Sequence, residues 1–273
     1  MPPVLSTSHV HSPILRGLSA PLSGFWFIAQ RRRLWAAAAW FALLSTPVTL
    51  VTPVLIAAFS FYGWRLGAAT IDSHQAAWLL RSMVACVLAV GSVSLTHLVW
   101  TAWFGACLGR AALNLARQTE NCLGISKEEF CDTGEQDLLK EVRIDLRHLP
   151  IAWGVMTVVA AVPIAGQILC VAVAPFLAST LLAHWLFYLP RALRNQVPGR
   201  DFSFIDRNVL MAAPLGFSVL TSCLVPFLGA MWFAGSVVAG VRLYRWLDHS
   251  GGMLTPGFPS TPLAIAELER FDG

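Results

Sequence analysis

The sequence predicts an all-α integral membrane protein, and its composition and charge pattern are the basis for this fold class. Of its 273 residues, 56% are apolar and only 12% are charged, whereas soluble proteins carry about 25% charged residues. The charges are confined between long uncharged runs, and two of these runs are interrupted by the same short Pro/Gly phrase. We expect a disordered leader at 1–20, one membrane domain at 21–247 and a mostly disordered tail at 248–273.

The first two apolar runs predict two long transmembrane helices. They cover residues 34–64 and 82–109, and the second is uncharged apart from His97. A membrane crossing needs about 20 apolar residues. Both runs exceed this length, so each is expected to cross as a tilted or projecting helix.

The last two apolar runs predict two helical hairpins. Residues 149–190 and 208–241 are uncharged and too long for a single crossing. The first contains Val-Pro-Ile-Ala-Gly at 162–166, and the second contains Val-Pro-Phe-Leu-Gly at 225–229. Proline ends a helix and glycine permits a turn, so each run is expected to enter the membrane and return.

The arms of these hairpins are short. At 1.5 Å per residue, arms 149–162 and 227–241 reach roughly 21–23 Å, less than the roughly 30 Å of a hydrocarbon core. The lengths therefore favour half-membrane hairpins. Six full crossings stay open, because both arrangements return the chain to the same side.

The segment between the second and third runs is polar. Residues 109–149 hold eight acidic and six basic side chains. After Thr133, the residues Leu138, Val142, Leu146 and Leu149 recur at three- to four-residue spacing. This spacing predicts a cytoplasmic amphipathic helix that lies against the membrane or the bundle.

The distribution of Lys and Arg predicts the topology. Positive residues mark the cytoplasmic side of a membrane protein. They are frequent in the leader, the middle segment, the connection between the hairpins and the tail, whereas the connection at 62–81 has only Arg65 and Arg81. Both termini are therefore expected in the cytoplasm, with only residues near 65–80 outside.

The two Pro/Gly breaks are candidate pore or anion-binding positions. A helix broken inside a membrane exposes free N–H groups, which favour an anion. Because they share a phrase, we expect the breaks to lie close together at similar depth. The alternative is that each is only a turn. The candidates are Pro163, Gly166, Gln167, Pro226 and Gly229.

Arg31, Arg32 and Arg33 form a second candidate anion site. They lie where the first long helix begins, and guanidinium groups at a helix N-terminus suit an oxyanion. The alternative is a positive anchor whose side chains reach the lipid headgroups.

The remaining polar residues suggest no enzyme, metal or cofactor. His97 and His184 lie in apolar runs, and a single hydrogen-bonded histidine is the simpler interpretation of each. None of the four runs contains an acidic residue, which disfavours a proton relay or cation site. The six cysteines show no CxxC spacing, so no metal motif is expected. The net charge of +4 follows the membrane topology and predicts no nucleic-acid partner.

Residues 20–245 resemble the CysZ-type sulfate permeases and the related etoposide-induced membrane proteins. The resemblance implies two long transmembrane helices, two membrane-dipping hairpins, cytoplasmic termini and, in the bacterial inner membrane, sulfate uptake. The chain also departs from the family pattern, because Gly229 stands where the family usually has Asn. The residues that carry it are Leu138–Leu149, Val162-Pro163, Gly166, Phe202-Ser203-Phe204, Arg207, Gly216-Phe217, Val225-Pro226 and Ala239-Gly240.

The leading functional interpretation is therefore a permease or channel for a small oxyanion, with sulfate as the best guess. Its expected partners are the lipid bilayer and the anion, and a homo-oligomer would cover the open edges of short hairpins. The alternative is a non-transporting membrane scaffold or quality-control partner.

The topology gives the first prediction. A single cysteine introduced at Ser73 should react with an impermeant thiol reagent from outside, whereas one at Gly199 should react only after the membrane is opened. The positive-inside rule is the physical reason. External labelling at position 199 in intact cells would contradict the topology.

Overall fold

The structure is a computed structural model, and its described part is helical. No strand is present in that part, so the predicted all-α class is confirmed there. Pro163, Pro226, the tail after 249 and the leader before 13 lie outside it. The described residues are 13–69, 74–124, 134–162, 164–194, 208–222, 225 and 228–249.

The described residues form eight α-helices that pack as one bundle. In chain order they are α1 (Pro13–Gln30), α2 (Arg32–Ala69), α3 (His74–Trp103), α4 (Gly109–Cys122), α5 (Gly134–Ala160), α6 (Ala165–Leu193), α7 (Val209–Ser222) and α8 (Leu228–His249).

Helix α1 corrects the expectation of a disordered leader up to residue 20. Its buried side consists mainly of small residues, and it packs on α7 and α8. A Cβ on Gly24 would lie against the carbonyl oxygen of Gly235, and a Cβ on Gly235 would lie 2.6 Å from the carbonyl oxygen of Pro21. The two backbones therefore cross in close contact, as small residues allow.

Helices α2 and α3 form a long antiparallel pair, as expected for the first two runs. The indole N–H of Trp103 donates to the carbonyl of Leu44 across this pair (2.9 Å). Helix α3 then continues through a π-helical turn, Phe104–Leu108, directly into α4. The helix that contains the second apolar run therefore does not end at Gly109 but extends into the polar middle segment.

The middle amphipathic helix and the first hairpin arm are one continuous helix. Helix α5 has 27 residues and holds Pro150 without ending. It packs against α3, and the hairpin that it begins contacts the α3–α4 helix at two distant points. A Cβ on Gly109 would lie 2.6 Å from Leu138, while the Gln167 amide, beyond the hairpin tip, donates to the Ser82 hydroxyl (3.4 Å).

These contacts show how far the first hairpin extends along the α3–α4 helix. The 27 steps from Ser82 in α3 to Gly109 in α4 rise roughly 40 Å, and the hairpin contacts both ends of that stretch. The predicted arm 149–162 is shorter than the observed helix α5, because the polar segment before 149 belongs to the same helix. Helix α7, with 14 residues, remains short at roughly 21 Å.

Among the described residues, two helical stretches are long and apolar enough to cross a membrane: Arg32–Phe59 in α2 and Ala165–Leu193 in α6. The first matches the predicted run 34–64, and the second lies in the first hairpin. In the described part of α3, the stretch Trp78–Gly91 is apolar but shorter. The first of the two predicted long spans is therefore matched, and the second stays a prediction.

The centre of the bundle is an aromatic cluster that joins five elements: α2, α3, the π-helical turn, α6 and α8. Phe233 of α8 lies 5.0 Å from Phe41 and 5.6 Å from Trp100 between ring centroids. Phe104, in the π-helical turn, lies 5.2 Å from Trp100 and 4.8 Å from Trp185 of α6. Edge and tilted aromatic contacts of this kind add to the burial free energy.

The α1–α8 crossing gives the second prediction. Gly235→Leu should destabilise the protein by about 3 kcal/mol, because the new side chain overlaps the α1 backbone. Gly154→Leu is the matched control, since a Cβ there meets nothing within 4 Å. Thermal unfolding in detergent measures both. Equal unfolding temperatures for the two variants would contradict the close crossing.

Candidate functional site

The candidate site is a buried cluster of charges around Glu120, near the end of α4. The Glu120 side chain is 0% exposed. Arg194, just after α6, donates to its Oε1 (2.8 Å), and Arg245 of α8 donates from Nε to its Oε2 (2.6 Å). Both carboxylate oxygens are thus bound by guanidinium groups. Burying a carboxylate costs several kcal/mol, and these charge-assisted bonds offset that cost.

Arg245 and Arg31 also bind the carboxyl end of α4. Arg245 donates from Nη1 to the Leu123 carbonyl (3.1 Å), and Arg31 donates from Nη1 to the Cys122 carbonyl (3.2 Å). The last carbonyls of a helix have no intrahelical partner and carry partial negative charge. The cluster therefore satisfies a helix end as well as a carboxylate.

Aromatic rings separate the cations from one another. The Phe27 ring lies between two guanidinium groups, 4.2 Å from the Cζ atom of Arg31 and 4.8 Å from that of Arg242. Arg194 lies 5.3 Å from the Tyr244 ring. Cation–π contacts stabilise guanidinium groups that are partly withdrawn from water.

Four guanidinium groups lie at this end of the bundle. Those of Arg194 and Arg245 bind Glu120, whereas those of Arg31 and Arg242 donate to backbone carbonyls. Within the described ranges, no group of three His, Cys, Asp or Glu side chains could hold a metal ion. The described contacts of these arginines are thus with a carboxylate, carbonyl oxygens and aromatic rings.

The three arginines of the predicted triplet have different environments in the structure. Arg31 is half-buried within the cluster, whereas Arg32 and Arg33 are exposed in the first turn of α2. Glu120 was missed from the sequence. A signal was present, because Glu120 lies on the buried face of α4 with Ala112, Ala116 and Thr119, at helical spacing.

The first break turns in a different way from the one expected. The residue with positive φ is Ile164 (φ 59°), a strained conformation for a β-branched side chain. Gly166 lies inside α6, where a Cβ would meet the carbonyl of Val159 in the other arm. Gly166 therefore permits close approach of the two arms of the hairpin. A larger side chain at this position would distort the turn first and would affect a transport pathway only through that distortion.

The two hairpins cross where Gly216 of α7 meets α6. A Cβ on Gly216 would lie against the carbonyl of Ser179 on α6. Along the helices this crossing is roughly 20 Å from Gly166 and roughly 9 Å from the end of α7 at Ser222. The second break begins beyond Ser222, and its Pro226 lies outside the described residues, so the expected equal depth stays a prediction.

The breaks and the arginine cluster lie at opposite ends of their helices. At 1.5 Å per residue, α6 separates Gly166 from Arg194 by roughly 42 Å, and α8 separates Gly229 from Arg245 by roughly 24 Å. The predicted candidates therefore belong to two separate places, and Gln167 is used in a contact with α3.

A second buried polar pair includes an acidic residue from outside the four apolar runs. Glu141 of α5 lies 3.8 Å from His184 of α6, between Oε1 and Nε2, and both side chains are buried. The tilted ring of Tyr188 lies 6.1 Å from that of His184. The acid comes from the polar segment before residue 149, which α5 carries into the bundle. The side chain of His97 lies outside the described residues.

In its described part, the chain is a helical bundle with two stretches long and apolar enough to span a membrane and with a buried arginine–glutamate cluster at one end. No protein-family model, curated protein or solved structure matches this chain. The resemblance to the CysZ-type permeases therefore depends on the motif residues alone, and its phrase at 202–207 lies outside the described residues.

The cluster gives the third prediction. Glu120→Gln should destabilise the protein by about 3–5 kcal/mol, because it leaves two buried guanidinium groups without a carboxylate. The exposed Arg147→Gln on α5 is the control and should change stability by less than about 0.5 kcal/mol. Chemical unfolding in detergent measures both. A loss below about 1 kcal/mol for the Glu120 variant would contradict the structural role.

Proposed function

We propose that this chain is an integral membrane protein that passes a small oxyanion, with sulfate as the first substrate to test. The observation that carries the proposal is the concentration of guanidinium groups at the end of the bundle that holds Glu120. Arginine binds oxyanions through paired, charge-assisted hydrogen bonds, and clustered basic groups attract an anion. The groups that lie at this end belong to Arg31, Arg194, Arg242 and Arg245.

The outer surface of the bundle supports placement in a membrane. Only 31% of the most apolar window of Arg32–Phe59 and 24% of that of Ala165–Leu193 is buried. The first hairpin exposes Ile151, Val158 and Ile168 by 66%, 71% and 66%. Exposed apolar surface on this scale is unfavourable in water and favourable in lipid.

The pairing of the first hairpin with α3 supports full crossings there. If α3 spans the membrane, a hairpin that contacts α3 from Gly109 to Ser82 reaches the same depth. Helix α7, at roughly 21 Å, suits a partial crossing. The proposal therefore places the cytoplasmic side at the arginine cluster and the first hairpin tip near the outer surface.

A non-transporting scaffold is the second candidate, and one observation favours it. The arginines nearest Glu120 already bind the carboxylate and the end of α4, and the Pro/Gly breaks lie far from them. A cluster used only to fix four helix ends together would have the same contacts. Measured flux separates the two candidates.

Sulfate flux gives the fourth prediction. Proteoliposomes that contain the full chain should take up radiolabelled sulfate, and Arg242→Gln should lower the rate roughly tenfold, since a charged hydrogen bond contributes about 1.5–3 kcal/mol. Arg242 lies on Phe27 and donates to the Ser23 carbonyl (3.3 Å), away from Glu120, so the fold should persist. Arg147→Gln is the control and should leave the rate unchanged. No uptake by correctly inserted wild-type protein would favour the scaffold.

A further inference from the structure

From Ile14 to Trp26, helix α1 has its large apolar side chains on the outside. Small residues face the bundle over this stretch, namely Gly17, Ala20, Pro21 and Gly24, and the buried Phe27 and Ile28 follow at its carboxyl end. The opposite side, called here the α1 outer face, is formed by Ile14, Leu15, Leu18, Leu22, Phe25 and Trp26, which are 36–64% exposed. A helix on the surface of a soluble protein has the reverse arrangement. The α1 outer face therefore requires an apolar environment.

The α1 outer face leads directly into a basic elbow. Helix α1 ends at Gln30 and α2 begins at Arg32, and the exposed Arg32 and Arg33 follow the face at its end. The indole N–H of Trp35 donates to the Ile28 carbonyl (2.9 Å), as does the backbone N–H of Arg31 (3.0 Å). The elbow is thus fixed in geometry while two of its guanidinium groups face outward.

The charge of this region has one sign. No Asp or Glu occurs between Pro13 and Ala69, a segment that contains Arg16 and the triplet at 31–33. Exposed tryptophans stand on both sides of the triplet, with Trp26 64% and Trp35 54% exposed. Tryptophan and arginine are the residues that proteins place at the boundary between lipid chains and headgroups.

We propose that the α1 outer face and the elbow form a binding site for an anionic phospholipid. The acyl chains lie along the α1 outer face, and the headgroup phosphate lies on Arg32 and Arg33. The inference rests on the membrane placement in the proposed function but not on transport. Charge complementarity selects an anionic lipid over a zwitterionic one, since each arginine near the surface of an anionic membrane adds an attraction of its own.

The test is a lipid titration of the full chain in detergent. Fluorescent-tailed phosphatidylglycerol and phosphatidylcholine with the same tail are titrated, and binding is followed by anisotropy. Phosphatidylglycerol should bind more tightly, and the preference should shrink at high salt because the charges are exposed.

The double variant Arg32→Gln/Arg33→Gln should weaken phosphatidylglycerol binding roughly fivefold for each arginine, while Arg143→Gln/Arg147→Gln on α5 should change it less than about twofold.

Each contrary outcome has a separate meaning. Equal binding of the two lipids by the wild type would overturn the site. Loss of phosphatidylglycerol binding on addition of inorganic sulfate at constant ionic strength would assign the arginines to a free oxyanion instead. A second copy covering the face would appear as a dimer that Leu22→Gln dissociates, again overturning the proposal. Phosphatidylglycerol preference without sulfate flux would refute transport alone.

Discussion

The bundle depends on the carboxylate of Glu120. It is the point at which α4, α6 and α8 are joined through charge, and Arg31 adds the α1–α2 elbow through the neighbouring carbonyl. Aromatic and aliphatic packing is nondirectional and would tolerate sliding of one helix past another. Two guanidinium groups on one buried carboxylate specify a single register, because any slip leaves a charge uncompensated in the interior.

The sequence predicted what composition and local spacing determine. Long uncharged runs can only be helices if they are to satisfy their backbone groups in an apolar environment, and the described part is helical. The sequence did not predict α1, because its apolar residues alternate with Gly17, Pro21 and Gly24 and form no continuous run. The role of these small residues is apparent only in the tertiary structure, where α8 packs closely against them.

The site was less accessible to sequence reasoning than the fold. Glu120 lies 74 residues from Arg194 and 125 residues from Arg245, so no motif spacing could join them. At the first break, the Pro/Gly phrase located the turn correctly, but the strain falls on Ile164 and the glycine serves contact between the arms. In both places, tertiary packing determines which residue has the structural role, whereas the local sequence pattern indicates a different residue.

The order of the charges along the chain has a consequence for biosynthesis. Glu120 emerges from the ribosome long before Arg245, and 125 residues take on the order of ten seconds to translate. Until α8 arrives, the end of α4 has only part of its cationic shell, and a lone carboxylate is too costly to bury. The end of α4 therefore stays in a polar environment while α5 to α7 emerge. The cluster is complete only when α8, the last helix in the described part of the chain, supplies the second guanidinium group.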